Sequence, residues 1–452
     1  MLREGRFEGS MDSDAADYQT SLEEDVRLFD SVIQINMAHV FMLGERGIIS
    51  ESESAQIFES LSNLREEGIE ALDMRPELED IHMVLEEYVK EDLGEDAAGN
   101  MHAAKSRNDQ VATALRMVLR EEFLGIQGLV LDLIEKLIDS AKDYSDVVMP
   151  GYTHLQVAEP TTFGHYLAAY AQAFARDVDR LNATYEHINE CPLGACAFAG
   201  TSFPIDRWLS SDLLGFDRLV ENTMDATGSR DFVLEAMSDL SILMTNLSRF
   251  AEELVLWSST EFDMVNIPDE FASTSSIMPQ KKNPVTAELG RAKASRTFGN
   301  LVGGLSIMKK LPQAYNLDLQ ELTPLLWDSV DQTKASVEVM SGLVEGLEPK
   351  PEKMRENAEK GFASMTELAN VLVREGDIPF RKAHSIVGSL ASMAMEEDKS
   401  LDDISFSDLK NVAEKVIGRG IDLEEDEFKE ALDVKECAER RNVVGGPSPD
   451  SV

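Results

Sequence analysis

The sequence predicts an all-α fold built around a bundle of long helices. Apolar seams with steps of three and four residues run through three stretches. They are Leu119, Phe123, Ile126, Val130, Leu133 and Leu137; then Phe163, Leu167, Tyr170 and Phe174; then Val233, Ala236, Leu240, Leu243, Leu247, Phe250 and Leu254. Such steps put one stripe on one face of a helix. The runs are also far longer than an average globular helix. Their stripes need apolar partners, which a bundle supplies. Periodicity alone leaves open whether those partners lie in the same chain or in another. Finally, few segments alternate with the period of two that a half-buried strand needs.

In chain order, residues 1–20 are polar and Asp-rich and read as extended. Ser21-Leu22-Glu23-Glu24-Asp25 reads as a helix start, a Ser cap followed by acids in the first turn. Helical patterns run to Gly44, from Ser54 to Leu72 and from Asp80 to Lys90, and Gly94–Gly99 reads as a break. After the seams, a further helical stretch covers Pro324–Leu347. Pro349 and Pro351 mark a boundary, and shorter helices follow, with turns at Gly376–Pro379 and Gly418–Gly420. The tail GGPSPDSV reads as loose. There are no internal repeats and no low-complexity linker.

A chain of 452 residues with 43% hydrophobic content has enough for two or three domains. No stretch approaches the roughly 18–20 continuous apolar residues of a membrane span. The N-terminus lacks the apolar core of a signal peptide, so a cytoplasmic location is expected. Cys191, Cys196 and Cys437 have no second ligand pair nearby at zinc spacing and read as small buried residues. The formal net charge is −42. That argues against nucleic acid and anionic membranes, which attract clustered Lys and Arg. Self-repulsion of this size is costly at low salt, and it fades as the screening length falls to about 3 Å in molar salt. A salt-accumulating cytoplasm is the favoured explanation, with an ordinary acidic enzyme as the alternative.

Chemistry concentrates in a few polar islands. Ala272–Pro284 reads ASTSSIMPQKKNP, a loop punctuated by two prolines. Ser275 and Ser276 offer hydroxyls there, and Lys281 and Lys282 offer positive charge. Asn283-Pro284 reads as a helix start, Asn at the cap and Pro at the first helical position. The positive end of that helix would favour carboxylates and oxyanions. Lys105-Ser106-Arg107-Asn108-Asp109-Gln110 precedes the first long helix. Arg107 can fork onto a carboxylate, although solvated helix-start charges are the favoured reading of this run taken alone. Gly151-Tyr152-Thr153-His154-Leu155-Gln156 places one of only seven histidines on a loop before a helix, and His suits proton transfer near neutral pH. Gly228-Ser229-Arg230-Asp231-Phe232 opens the third long helix. Tyr315-Asn316-Leu317-Asp318-Leu319-Gln320 is a polar edge or a recognition surface. Each island alone is a weak signal.

Together they are specific. SSIMPQKKNP resembles the signature loop of the fumarase/aspartase superfamily, S-S-x-M-P-x-K-x-N-P. KSRNDQ, GYTHLQ, DATGSRDF, SSIMPQKKNP and YNLDLQE, in this order, resemble the argininosuccinate lyase family from the Ser21 region to DIPFRKAHSIVG (Asp377–Gly388). The resemblance implies an all-helical chain of three domains, taken as 1–107, 108–352 and 353–452. It also implies a homotetramer whose long central helices form a twenty-helix core, with each active site drawn from three subunits. The implied reaction is reversible cleavage of argininosuccinate to arginine and fumarate, with no metal or organic cofactor and small-molecule partners only. Implied catalytic residues are Ser275 as base, His154 as acid, Lys281 beside the serine, and Glu288, which pairs with the histidine of another subunit. Which of Ser275 and His154 is base and which is acid stays open. Implied substrate contacts are Ser21, Asp25 (towards the guanidino group), Arg107, Asn108, Thr153, Arg230, Asn283, Tyr315 and Gln320. His82 matches a family histidine near the site, or is a satisfied helix histidine. Two departures stand out: Ala103-Ala104-Lys105-Ser106 replaces T-G-R-S, and Thr323 replaces a family lysine. The alternatives are a sibling lyase acting on adenylosuccinate or aspartate, and a non-catalytic structural tetramer.

Overall fold

The computed structural model describes residues 11–452, which are overwhelmingly helical. The longer helices are α1 (Phe29–Glu45), α2 (Glu51–Glu67), α3 (Ile81–Leu93), α4 (Arg107–Asp143), α5 (Phe163–Ile188), α6 (Asp231–Trp257), α7 (Val285–Met308), α8 (Leu322–Glu345), α9 (Pro351–Lys360), α10 (Met365–Arg374), α11 (Phe380–Glu396) and α12 (Phe406–Ile417). The three predicted seams fall on α4, α5 and α6. Leu119, Phe123, Phe174, Leu240 and Leu247 are among their residues with no exposure at all. No helix among the described residues is long and apolar enough to cross a membrane.

The chain divides into two compact units, each described by itself. The first comprises Met1–Gly128, Val178–Ile242 and Ser295–Thr333. Within it, α2 starts with a capping box. The Ser50 hydroxyl accepts the Glu53 N–H, and the Glu53 carboxylate reaches back to Ser50. Asp80 caps α3 by accepting the Met83 N–H at 3.0 Å. The expected break over Gly94–Gly99 shrinks to Gly94, whose φ of +94° ends α3, and Glu95–Met101 is already a short helix. Residues 13–19 are not extended as expected. Asp12 accepts N–H groups from Asp14 and Ala15 and starts the helix Ser13–Gln19, which buries Ala16. The remainder of the 1–20 expectation, residues 1–10, lies outside the described residues.

The second unit comprises Leu129–Asp177, Leu243–Ala294 and Lys334–Val452. An antiparallel hairpin of β1 (Val148–Thr153) and β2 (Gln156–Thr162) interrupts its helices. It was not expected from the sequence. A bulge sets Gly151 opposite two residues, Ala158 and Glu159, which breaks the period-two pattern. A Cβ at Gly151 would lie 2.9 Å from the Glu159 carbonyl oxygen, so this crossing requires glycine. Helices α10 to α12 bury Leu368, Leu372, Ile386, Leu390 and Leu409 in one cluster with Val148. The tail expected to be loose is packed. The Thr162 hydroxyl donates to the Pro447 carbonyl at 3.3 Å, His165 Nε2 donates to Gly445 at 3.0 Å, and Ser448 is buried.

Candidate active site

In the first unit, several separated segments converge on a cavity of about 480 Å³. It is lined by Ser21 and Asp25 from one segment, Arg107 and Asn108 from the start of α4, Arg230 from the start of α6, and Tyr315 and Gln320 from the turn before α8. These are all the substrate contacts that the sequence suggested within this unit. Thr323 lines the same cavity.

The charges in the cavity are held differently from one another. Arg107 is bound to Asp80, with Glu86 at 3.9 Å. Burial works against its charge, but Asp80 and then Glu86 outweigh it and raise its pKa. Asp80 and Glu86 carried no signal in the sequence beyond helix-start acidity, because the ion pair spans 27 residues of chain. Arg230 is only 2% exposed and has no acidic partner among the described residues. Its Nη1 donates to the carbonyls of Ser229 (2.7 Å) and Thr227 (3.3 Å), while Nη2 is buried without a partner. Burial, then the neighbouring Arg116 charge, lowers its pKa to about 10. An unpartnered guanidinium nitrogen at a cavity wall is a ready donor to a carboxylate.

Asp25 is nearly buried. Its Oδ2 accepts the Ser21 hydroxyl at 2.8 Å and the Ile81 N–H at 3.2 Å. Desolvation raises its pKa to about 7 against those two donors. Ser21 stands at the N-cap of Leu22–Asp25, as expected, but its hydroxyl points to Asp25 and caps nothing. Gln320 Nε2 donates to the Gln19 carbonyl at 2.9 Å. The segment before Tyr315 lies on Gly228, where a Cβ would come within 2.7–2.9 Å of Ala314 backbone atoms. His82 is neither at the cavity wall nor satisfied. It is 1% exposed, neither ring nitrogen has a partner, and burial drives its pKa down to about 3.

In the second unit, Ser273–Thr274 pairs antiparallel with Lys282–Asn283 and closes the serine loop. Ser275 Oγ accepts two backbone N–H groups, from Met278 at 3.0 Å and Ile277 at 3.3 Å. Lys282 is tied to Asp269 at 2.6 Å, whereas the exposed Lys281 makes no ion pair among the described residues. The expected helix start moves by one residue. The Pro284 carbonyl accepts the Glu288 N–H, so Pro284 is the cap of α7, and Asn283 is held in the two-residue ladder instead. Glu288 is exposed in the first turn of α7.

His154 lies at the tip of the β1–β2 hairpin, not on a loop before a helix as expected. Thr153 pairs with Gln156, leaving the two-residue turn His154-Leu155, with φ of +56° and +57°. Positive φ at both positions is the type I′ hairpin geometry, which Asn-Gly usually fills. The turn presents the imidazole, Thr153 and Leu155 to solvent. Among the described residues, no hydrogen bond joins Ser275, His154, Lys281 and Glu288 to one another.

The fold defines the chain as a lyase of the fumarase/aspartase superfamily. A family model described as Lyase matches residues 5–299. EDDS lyase in complex with formate superposes with a TM-score of 0.87 at 34% identity, over 99% of this chain and 89% of that one. A class II fumarase from Schistosoma mansoni has a TM-score of 0.78 at 18% identity, over 97% and 94%, a likeness of fold alone. A second model, Argininosuccinate lyase C-terminal, matches residues 362–439. The chain is 49% identical over 451 residues to the argininosuccinate lyase of Methanothermobacter thermautotrophicus, covering 100% of this chain and 96% of that protein. It is 45% identical over 452 residues to that of Methanocaldococcus jannaschii, covering 100% and 92%. The chain belongs to the argininosuccinate lyase family.

Proposed function

We propose that the chain catalyses the reversible elimination that splits argininosuccinate into arginine and fumarate. Identity of nearly one half along the whole chain to proteins of that name supports the substrate. Ser275 Oγ, receiving two backbone N–H donors, is the single structural observation that supports the chemistry. A serine hydroxyl is a poor base unless its alkoxide is stabilised. Two amide donors, with the Lys281 charge on the same loop, favour that state. In this reading Ser275 removes the proton from the carbon next to a carboxylate. The electron pair left on that carbon forms the double bond of fumarate as the carbon–nitrogen bond breaks, and His154 protonates the departing guanidino nitrogen. Glu288 orients the histidine of another subunit and raises its basicity.

The cavity's cations and polar groups (Arg107, Arg230, Asn108, Tyr315, Gln320) suit the carboxylates of the substrate, and Asp25 suits its cationic groups. In the same reading Thr153, on the hairpin, and Asn283, on the serine loop, also contact the substrate. Further parts of the same reading are a homotetramer with a twenty-helix core, sites shared between three subunits, domains at 1–107, 108–352 and 353–452, and a cytoplasmic location. The absence of a hydrogen bond or ion pair joining Ser275, His154, Lys281 and Glu288 among the described residues is compatible with a site shared between subunits.

Fumarate release, followed by ultraviolet absorbance, tests the reaction. Argininosuccinate, adenylosuccinate and aspartate are offered separately at low and molar potassium chloride. Release from argininosuccinate alone is expected. Release from one of the others moves the assignment to a sibling lyase. No release from any of them, by an intact oligomer, supports a non-catalytic role.

A further inference from the structure

Asp109 is a fully buried carboxylate that the proposed reaction does not use. Its two oxygens have separate duties. Oδ1 accepts the Ser106 N–H at 2.9 Å, three residues back, the side-chain half of a capping box at the start of α4. Oδ2 accepts two N–H groups from a segment some 85 residues away, Gly194 at 3.0 Å and Cys196 at 2.7 Å. A charge-assisted bond to each of three amides is among the stronger polar contacts a buried group makes. The gripped segment in turn touches the cavity wall, because Asn108 Nδ2 donates to the Ala197 carbonyl at 2.9 Å. Cys196 Sγ closes the bracket by donating to the Ala104 carbonyl at 3.1 Å. Both Ala104 and Cys196 have positive φ, +59° and +55°, a conformation that non-glycine residues hold only where surrounding contacts impose it.

We propose that Asp109 is the positioning residue that sets Arg107 and Asn108 in the cavity, one oxygen capping the helix that carries them and the other locking the Gly194–Ala197 segment against Asn108. The inference rests on the reading that Arg107 and Asn108 meet the substrate. Asparagine at this position retains one acceptor oxygen but turns an NH2 towards amide N–H donors, so either the cap or the grip is lost. A carboxylate that served folding alone would lower the melting temperature and leave the kinetics of the surviving folded enzyme unchanged.

The test compares wild type with Asp109→Asn and Asp109→Glu, the second keeping charge and both oxygens but displacing them by one methylene. It measures kcat and KM for argininosuccinate, and amide hydrogen exchange of residues 194–197 well below the melting temperature. The expected result is KM raised about tenfold or more with kcat changed less than about threefold, the signature of lost binding geometry. Exchange of the Gly194 and Cys196 amides should rise by about the same factor, about tenfold for each 1.4 kcal/mol of lost protection. Wild-type KM in either folded variant overturns the inference, as does unchanged exchange in Asp109→Asn. If Asp109→Asn does not fold, Asp109→Glu decides alone. If the wild type releases no fumarate from argininosuccinate, the proposed function falls separately, and exchange at 194–197 then decides whether Asp109 grips that segment.

Discussion

In the proposed mechanism Ser275 is the base, and the two N–H groups that its Oγ accepts would favour the alkoxide that role needs. Ser275→Ala removes the only atom those donors serve, so kcat should fall about 10²–10⁴-fold, the range for losing a general base. KM and the melting temperature should stay near wild type, because the loop is closed by the backbone ladder and not by this hydroxyl. Turnover like that of wild type in this variant would remove Ser275 from the mechanism. Asp25 makes a pH-dependent claim. Its carboxyl is raised from 3.8 to about 7, so the folded state holds the proton more tightly than the unfolded chain does. Its stabilising contribution is therefore complete below about pH 4 and is lost as pH rises through 7. The shift corresponds to on the order of 4 kcal/mol across that window. Asp25→Asn lacks the titration. Its stability relative to wild type should climb between pH 4 and 7 and then level, as read from urea melts at several pH values, while KM worsens. A difference independent of pH would mean that Asp25 titrates as an ordinary carboxylate. The grouping of these side chains was legible in the sequence, because the family's motifs single out Ser21, Asp25, Arg107, Asn108, Arg230, Tyr315 and Gln320 individually, and the fold gathers all seven at one cavity. What stayed hidden were partners such as Asp80 and Asp109. Their roles depend on contacts with segments tens of residues away, which no local spacing encodes.

The long helices were legible for a simple reason: a stripe at 3.6-residue spacing has one physical interpretation when it runs for about three turns or more. Short elements set by local turn chemistry were not. The β1–β2 hairpin contains Pro150, Gly151 and Pro160, and its bulge disrupts the alternation that would have announced two strands. The Pro284 shift is of the same kind, since the ladder with Ser273 claims Asn283 before it can cap. At the hairpin tip, His154 and Leu155 stand where Asn-Gly would be relaxed, a conformation that costs an ordinary residue roughly 1–2 kcal/mol. Strain of this sort is expected where an element exists to present one side chain. Leu155→Gly should therefore raise stability by roughly 0.5–1 kcal/mol, the gain left after glycine's extra chain entropy. If denaturant melts show Leu155→Gly to be destabilising, the tip is held by packing and not strained. Gly228 carries the opposite expectation. A Cβ there meets the Ala314 backbone, which cannot yield as a flexible side chain would. Gly228→Ala should cost about 1–3 kcal/mol and, by moving the neighbouring Tyr315, raise KM. A variant with wild-type kinetics would show that the Tyr315 turn adjusts freely.

Across the molecule, 84 acidic residues face 42 basic ones. Local ion pairs do not remove the imbalance. Most are exposed, as in Arg65–Asp30 and Lys429–Glu425, and exposed pairs contribute little. The remaining carboxylates repel one another through solvent at distances that ordinary buffer screens only partly, since the screening length is about 10 Å at 0.1 M salt and about 3 Å at 1 M. The repulsion is a cost to every compact state, whether monomer or assembly. The cavity feels it too, because among the described residues Glu24, Glu79, Asp80 and Glu321 line it beside Asp25, against Arg107 and Arg230. A substrate with several carboxylates must approach that surface. Salt should then act twice: the melting temperature should rise steeply between 0.1 and 1 M potassium chloride and level above it, and KM for argininosuccinate should fall over the same interval. Sodium chloride should act nearly alike, because screening depends on ionic strength and not on the identity of the cation. Calorimetry and initial-rate kinetics across that range decide the matter. A melting temperature flat from 0.1 to 2 M would mean that the acidity is an incidental property of the surface. A response to potassium but not sodium would replace screening with specific binding of that cation.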